Sequence, residues 1–385
     1  MHRALLTLAL LAGGAAPAAA PAGPARDALR VTVVVLDDVG FAMLAQADTP
    51  VLDRLRAGGA WFTNFWTYPT CTPARAALLT GRHAHRTGVG TLISPTTPHN
   101  PGLPLAETTL AELLVEPVEY FGKWHLGHRL DDPRDQGFAH YAGGRWNLAT
   151  GGGQSYYQWL KTTDGVEAPV SVYATLDTTD DALASSARTR VVSYHAVHNP
   201  AHNPPGGTAP DLYHQTLEML EYLDAQLGRL LLGYEGLVFV LSDNGAEPLM
   251  GGQKGTLHEG GVNVPLVVYG PGVVPGERED LVSIVDLYAT LAELRGVPSA
   301  AEDSISFLPV LSGLPGARRY SYAEMFTPNG GSENHRRAIR DRDYKLIVRD
   351  GLTVEFSSMP GEVAIPPPWT AAQQAAYGRL RAALP

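Results

Sequence analysis

A chain of 385 residues with a formal net charge of −10 can bury a large core, and its length fits one large and one small domain. That negative field excludes nucleic acid as a partner, since no basic surface would attract phosphate. One cysteine, Cys71, allows no intramolecular disulfide, and the only lysines are Lys123, Lys161, Lys254 and Lys345, so each one's place is informative.

The first residues read as an export signal. His2-Arg3 is a weakly basic start, Ala4 to Leu11 an apolar core, and small residues follow. Cleavage fits after Ala20 or Ala22. Pro21 disfavours the first, so residues 1–22 are the expected signal peptide. The apolar run is too short to span a bilayer, so no integral membrane segment is expected. No cysteine lies near it to carry a lipid anchor. The expected location is periplasmic or secreted. An unpaired thiol is a liability there unless it is buried or modified.

Val31 to Leu36 is a β-branched run, the pattern of a strand buried on both faces of a parallel sheet. It ends in Asp37-Asp38-Val39-Gly40. Ligands in open α/β sheets gather at the carboxyl ends of strands, and adjacent carboxylates there suit a hard cation. Thr49-Pro50 predicts a helix start, with Gly58-Gly59 as its end. Ala60 to Phe65 reads as a strand leading to Cys71. Ala106 to Val115 reads as an amphipathic helix, with Leu110, Leu113 and Leu114 on its apolar side. Val118 to Phe121 reads as a strand running into Gly122-Lys123-Trp124-His125-Leu126-Gly127. A cation and an imidazole at a strand end suit anion binding and proton transfer.

Residues 139–175 lack periodicity and are rich in glycine and aromatics, including Gly151-Gly152-Gly153 and Tyr156-Tyr157-Gln158-Trp159. They read as a long functional loop walling a substrate pocket. A helix is expected over Thr179 to Ala187 and a strand over Thr189 to Tyr194. Three histidines follow, His195, His198 and His202, at a spacing that is not that of a zinc pair. His198 stands where Asn199-Pro200 stops the strand, and so at the ligand-binding end of a sheet.

Asp211 to Leu232 reads as a long helix whose stripe of Tyr213, Leu217, Leu220, Leu223, Leu227 and Leu231 is core. Gly236 to Leu241 is a third buried strand, and it too ends in acid, Ser242-Asp243-Asn244-Gly245. Two strand ends carrying oxygen ligands point to one shared cation. Lys254 lies in a glycine-rich stretch, Gly251 to Gly261, that suits an anion clamp. Pro265 to Tyr269 reads as a strand, and Leu281 to Arg295 as a helix with Asp286 near its start. After about Gly316 the pattern changes to short strands over Tyr320–Glu324, Arg337–Arg340, Tyr344–Val348 and Leu352–Phe356. A final helix spans Thr370 to Leu384. The expected domains are a catalytic α/β unit over 27–315 and a C-terminal α+β unit over 316–385.

Cys71-Thr72-Pro73-Ala74-Arg75, continuing to Thr80-Gly81-Arg82, organises these pieces. With Pro73 in a first helical turn, Cys71 sits at a helix N-terminus, where free N–H groups favour an anion, and Arg75 shares its face. Cys-x-Pro-x-Arg-x4-Thr-Gly resembles the signature of the type I sulfatases, in the alkaline phosphatase superfamily. Leu36 to Gly40, Thr49 to Asp53, Gly122 to Gly127, Val197 to Pro200, Ser242 to Gly245 and Lys254 to Gly261 each resemble a family motif, in family order. The resemblance covers nearly the whole mature chain.

It implies a large mixed-sheet α/β/α sandwich with a small C-terminal antiparallel sheet plus helix. It implies sulfate monoester hydrolysis through formylglycine, an aldehyde made from Cys71 by a maturation enzyme. It implies Ca2+, or Mg2+, held by Asp37, Asp38, Asp243, Asn244 and the modified Cys71. Arg75, Lys123 and Lys254 would hold the sulfate, while His125 and His198 would serve as acid and base. The rivals are a formylglycine-dependent phosphonate or phosphodiester hydrolase and a non-catalytic anion-binding relative with an unmodified thiol. Departures from the family are Val354-Glu355-Phe356-Ser357-Ser358 near the C-terminus, and His258 where an aromatic residue is common.

Overall fold

The computed structural model describes residues 29–97, 99–148, 154–331 and 333–385. The expected signal peptide and Gly151-Gly152-Gly153 lie outside the described residues. Ten strands form one mixed sheet in the order Gly276–Arg278, Ala60–Phe62, Leu266–Tyr269, Leu237–Ser242, Val31–Leu36, Thr189–Ser193, Val118–Gly122, His140–Gly143, Trp159–Thr163 and Val166–Val170. The strands Leu237–Ser242, Val31–Leu36, Thr189–Ser193 and Val118–Gly122 run parallel. Their register pairs Leu36 with Ser242, Val35 with Ser193 and Gly122 with Ser193. The residues that follow each strand are therefore delivered to one edge.

Alternation along Val31–Leu36 explains the two layers of helices. Val31, Val33 and Val35 enter one core with Ala74, Ala77 and Leu78 of the helix Cys71–Thr80, and with Leu287 and Leu291 of Asp286–Leu294. Val34 and Leu36 enter the other, with Leu52 and Leu55 of Pro50–Gly58, Ala182 of Ala174–Ala184 and Leu220, Leu223 and Leu227 of Leu212–Leu231. Each leucine so buried contributes about 1.5–3 kcal/mol relative to solvent exposure. The five strands Ser321–Met325, Arg336–Arg340, Tyr344–Arg349, Leu352–Ser358 and Val363–Ala364 form an antiparallel sheet in chain order. The helix Ala371–Ala383, closed at its start by a Thr370–Gln373 capping box, lays Ala376 and Leu380 on Tyr322, Leu346 and Phe356.

Glu324 ties the two sheets' surroundings together. It is fully buried and accepts hydrogen bonds from His85 N at 2.7 Å, His85 Nδ1 at 2.8 Å, His335 Nε2 at 2.6 Å and Tyr322 Oη at 3.0 Å. Burial alone would raise its pKa, but the two histidines outweigh it and hold the carboxyl at about 2. His85 belongs to Ala84–Thr87, the turn of helix that follows the Cys71 helix.

Several boundaries differ from those expected. Ala60 to Phe65 is two strands in two sheets, Ala60–Phe62 and Phe65–Trp66. The helix expected over 106–115 is one turn, Leu110–Leu113, because the Thr109–Glu112 capping box fixes its start late. The helix expected from Thr179 begins at Ala174. Val282–Ser283 is a short strand before the helix starts at Asp286. Thr49 makes no side-chain cap; the free N–H groups of Val51 and Leu52 donate instead to Asp224 of the long helix, both at 2.9 Å. The largest correction concerns 139–175, which supplies three strands. Asp164-Gly165, both at positive φ, turns a hairpin between Trp159–Thr163 and Val166–Val170. Both ends of the large sheet are blunt: one edge strand has only three residues, and the other carries Pro169. Among the described residues no helix is long and apolar enough to cross a membrane.

Candidate active site

Cys71 is the first residue of its helix and is fully buried. The helix closes on Gly81 in the left-handed conformation, where a Cβ would meet the Tyr288 Cβ at 2.7 Å. Cys71 Sγ lies 3.7 Å from Asp37 Oδ1. Donor atoms of Asp37, Cys71 and His198 all lie within 4.8 Å of one another, as do those of Asp37, Asp38 and Asp243. Burial pushes the Cys71 thiol far up, and nearby Lys123 offsets this only in part, so the unmodified group is a thiol rather than a thiolate.

Arg75, one turn on, is also buried. Its Nη2 lies 2.9 Å from Asp243 Oδ2 and 3.4 Å from Asp37 Oδ2, and its Nη1 donates to Ser193 Oγ and, at 3.0 Å, to the Lys123 carbonyl. Lys123 pairs with Asp37 in the fully buried interior. Gly122 makes this approach possible: it sits at φ +90, and a Cβ there would stand 2.0 Å from the Ser193 carbonyl. Lys254 reaches Asp38 at 2.6 Å and Glu247 at 3.0 Å.

Three carboxylates this close disfavour a common charge. Burial would raise Asp37, but Lys123, His198 and Arg75 hold it well below the usual range. Asp38 is pushed up to about 7 by burial and by Asp37. Burial and Asp37 likewise raise Asp243. Asn244 Nδ2 donates to Asp38 Oδ1 at 2.7 Å, which leaves Asn244 Oδ1 buried without a partner. An orphaned amide oxygen beside three converging carboxylates is a donor set that fits a hard, oxygen-preferring dication.

The histidines separate clearly. His198 places a ring nitrogen at the Cys71–Asp37 cluster. Its Nδ1 donates to the Asn199 carbonyl at 2.8 Å, leaving Nε2 as an acceptor. Burial and Lys123 lower it to about 3, so the imidazole is neutral. His125, at φ +56, donates from Nε2 to the Ile93 carbonyl at 2.8 Å, and its Nδ1 is buried without a partner. Burial, Lys123 and Arg75 hold it neutral as well. His195 donates to Trp146 O at 3.2 Å and is buried nearby. His202 lies away from the cluster, packed on Tyr156 and Tyr173.

The structure thus brings together Asp37, Asp38, Cys71, Arg75, Lys123, His198, Asp243, Asn244 and Lys254, with His125 beside them. Sequence reasoning missed three supports. Ser193 receives Arg75, Tyr120 Oη donates to the Lys123 carbonyl at 2.7 Å, and Tyr156 Oη lies 2.6 and 2.7 Å from the carbonyls of His195 and His198. Ser193 lies near the end of the strand expected over Thr189 to Tyr194, which was the available signal. Tyr156 had none.

A mixed sheet between helix layers, with its polar residues gathered at the parallel strand ends and a small antiparallel sheet behind, is the alkaline-phosphatase-like fold. Ps i-CgsB has it at a TM-score of 0.76, with 23% identity and 91% of each chain covered. So does BT4656, solved with its substrate D-glucosamine-2-N,6-O-disulfate, at a TM-score of 0.74 and 17% identity, covering 92% of this chain and 97% of that one. The sulfatase family model matches residues 30–297. Arylsulfatase A of Bos taurus is 32% identical, over 82% of this chain and 72% of its own. N-acetylgalactosamine-6-sulfatase of Canis lupus familiaris is 30% identical, over 80% and 70%. The chain belongs to the sulfatase family, and its enzyme class is sulfuric ester hydrolase.

Proposed function

We propose that this protein is an exported sulfatase that hydrolyses a sulfate monoester through formylglycine derived from Cys71. The observation that carries this reading is the placement of the one cysteine at a helix N-terminus, fully buried, with Asp37 and His198 donor atoms within 4.8 Å of its sulfur. A plain thiol held protonated there is a poor nucleophile. The aldehyde, when formed by the maturation enzyme, supplies as its hydrate an oxygen nucleophile and a second hydroxyl through which sulfate can be released. Asp37, Asp38, Asp243 and Asn244 would hold Ca2+ or Mg2+, which supplies positive charge at the sulfate oxygens.

The remaining chemistry belongs to this chain's own side chains. Arg75, Lys123 and Lys254 give the pocket three fixed cations, directed where charge develops on the transferring group. His198 gives a proton to the departing alkoxide. Its Nδ1 is engaged by the Asn199 carbonyl, so Nε2 is the nitrogen that can take up a proton, and the negative charge of a bound ester beside it favours the protonated form. His125, neutral and with Nδ1 buried without a partner, is the second proton-transfer group, the base. The substrate class drawn from the relatives is a sulfated aryl or saccharide ester.

The test is mass analysis of the peptide containing Cys71 from the native host, with parallel assays of sulfate and phosphate release. An aldehyde and preferred sulfate release are expected, and Cys71→Ala should fold and be inactive. A fully active preparation with an intact thiol would refute the nucleophile. Preferred phosphate release would favour the phosphonate or phosphodiester rival.

A further inference from the structure

We infer that Glu362, from the C-terminal sheet, is a positioning residue that caps the helix closing the Lys254 loop and so sets where Lys254 stands. This rests on the reading of Lys254 as a sulfate-holding cation. Glu362 lies in the turn between Leu352–Ser358 and Val363–Ala364, at φ +52. The helix it meets is Glu259–Val262, whose own N-cap residue, His258, makes no side-chain cap bond. The Glu259 N–H donates instead to Glu362 Oε2 at 2.9 Å. A carboxylate from more than a hundred residues away occupies the place of the missing cap.

The clasp is held from behind. Lys345 Nζ lies 2.6 Å from Glu362 Oε1 and 3.1 Å from Glu259 Oε1, and Arg340 reaches Glu259 Oε2 at 3.1 Å. Lys345 is buried, with its ammonium 4.7 Å from the centre of the Trp66 ring. His258 Nδ1 adds a contact to Glu362 Oε1 at 3.2 Å. His258, Glu355 and Glu362 also bring three donor atoms within 4.8 Å of one another. Lys345 already neutralises the Glu362 oxygen that a cation would need, so the arrangement works as a salt-linked clasp rather than a metal site.

The capped helix acts on the catalytic loop through its backbone. Gln253 N donates to the Gly260 carbonyl at 3.0 Å, and Gly260 N returns a bond to Gln253 Oε1 at 3.1 Å. Gly245 N donates to the Gly261 carbonyl at 3.0 Å. Gln253 precedes Lys254 and Gly245 follows Asn244. A shift of this one helical turn therefore moves the neighbours of a sulfate-side lysine and of a metal-side amide together.

The experiment is a double-mutant cycle on the matured full chain, with nitrophenyl sulfate as probe. Glu362→Ala should lower kcat/KM by roughly 10- to 100-fold, the scale of an ångström-level misplacement of a reacting group. Glu362→Gln keeps an oxygen for the Glu259 N–H and should recover most of it. Added to Lys254→Ala, Glu362→Ala should cost little more, because the group it positions is already gone. Glu362→Asp keeps the charge beside Lys345 but withdraws it from Glu259, and carries the same cycle if the alanine variant fails to fold. Losses that multiply in the double variant would overturn the proposal, as would wild-type activity in Glu362→Ala. Wild-type activity in Lys254→Ala would instead refute the reading of Lys254, and the clasp's catalytic role with it. A loss there beside an unchanged Glu362→Ala would refute the clasp alone.

Discussion

Arg75→Met tests the electrostatic account of the site most directly. Arg75 is buried between Asp243, at 2.9 Å, and Asp37, at 3.4 Å, and it also donates to Ser193 and the Lys123 carbonyl. Methionine matches the length of its stem without the charge. The substitution leaves Asp243 buried with its other neighbours unchanged, and removing one partner of a buried ion pair costs about 3–5 kcal/mol. Measured by calorimetry on calcium-free protein, the midpoint should fall on the order of 4–6 °C, since about 2.1 cal/mol/K per residue over 385 residues is about 0.8 kcal/mol/K. Two controls separate charge from packing. Arg75→Met with Asp243→Asn should recover part of the loss, because no carboxylate is then stranded. Saturating Ca2+ should also recover part of it, because a dication held by Asp37, Asp38 and Asp243 supplies the missing charge. A single substitution that costs under about 1 kcal/mol without calcium would refute the reasoning, since that is the range of exposed pairs. So would equal losses in the single and double variants.

Asp243→Ala should lose bound divalent cation and activity together, measured by elemental analysis beside the sulfate assay; stoichiometric zinc with activity indifferent to Asp243 would refute the oxygen-ligated site. His198→Ala should harm alkyl sulfates far more than nitrophenyl sulfate, because a phenolate leaves with less protonation; equal losses would reassign His198 to binding. Glu324→Gln tests a pH effect. The folded pKa is depressed from 4.5 to about 2, so Glu324 contributes stability above pH 4.5 that is lost as pH falls toward 2. That contribution is on the order of 3 kcal/mol. Denaturation midpoints of wild type and variant should converge across that window; a constant gap would assign the effect to packing.

The site was legible where chemistry and local pattern coincide. Asp37-Asp38 and Asp243-Asn244 each follow a buried apolar run, and the register of a parallel sheet made their meeting foreseeable. His198 does reach the cluster, but not for the expected reason: its strand ends already at Ser193, and the irregular segment after it, rather than a stop at Asn199-Pro200, brings the ring there. What stayed hidden depends on partners distant in sequence. The capping of Pro50–Gly58 by Asp224 leaves no local trace, and Thr49 looked sufficient. Glu362 stands in a turn of the far sheet, and nothing near it names Glu259. Residues 139–175 were misread for a different reason. Their aromatics and glycines mask the period of two, yet Asp164-Gly165 was a hairpin signal in plain view.

That hairpin has a consequence for how copies of the protein meet. A sheet of ten strands presents two rims of unpaired amides, each a template on which a second copy's strand could add. Pro169 offers no N–H on one rim, and the strand Gly276–Arg278 is too short on the other to seat a neighbour's backbone. Both rims are therefore poor templates for strand addition, and that protection lies in one proline and one truncated strand.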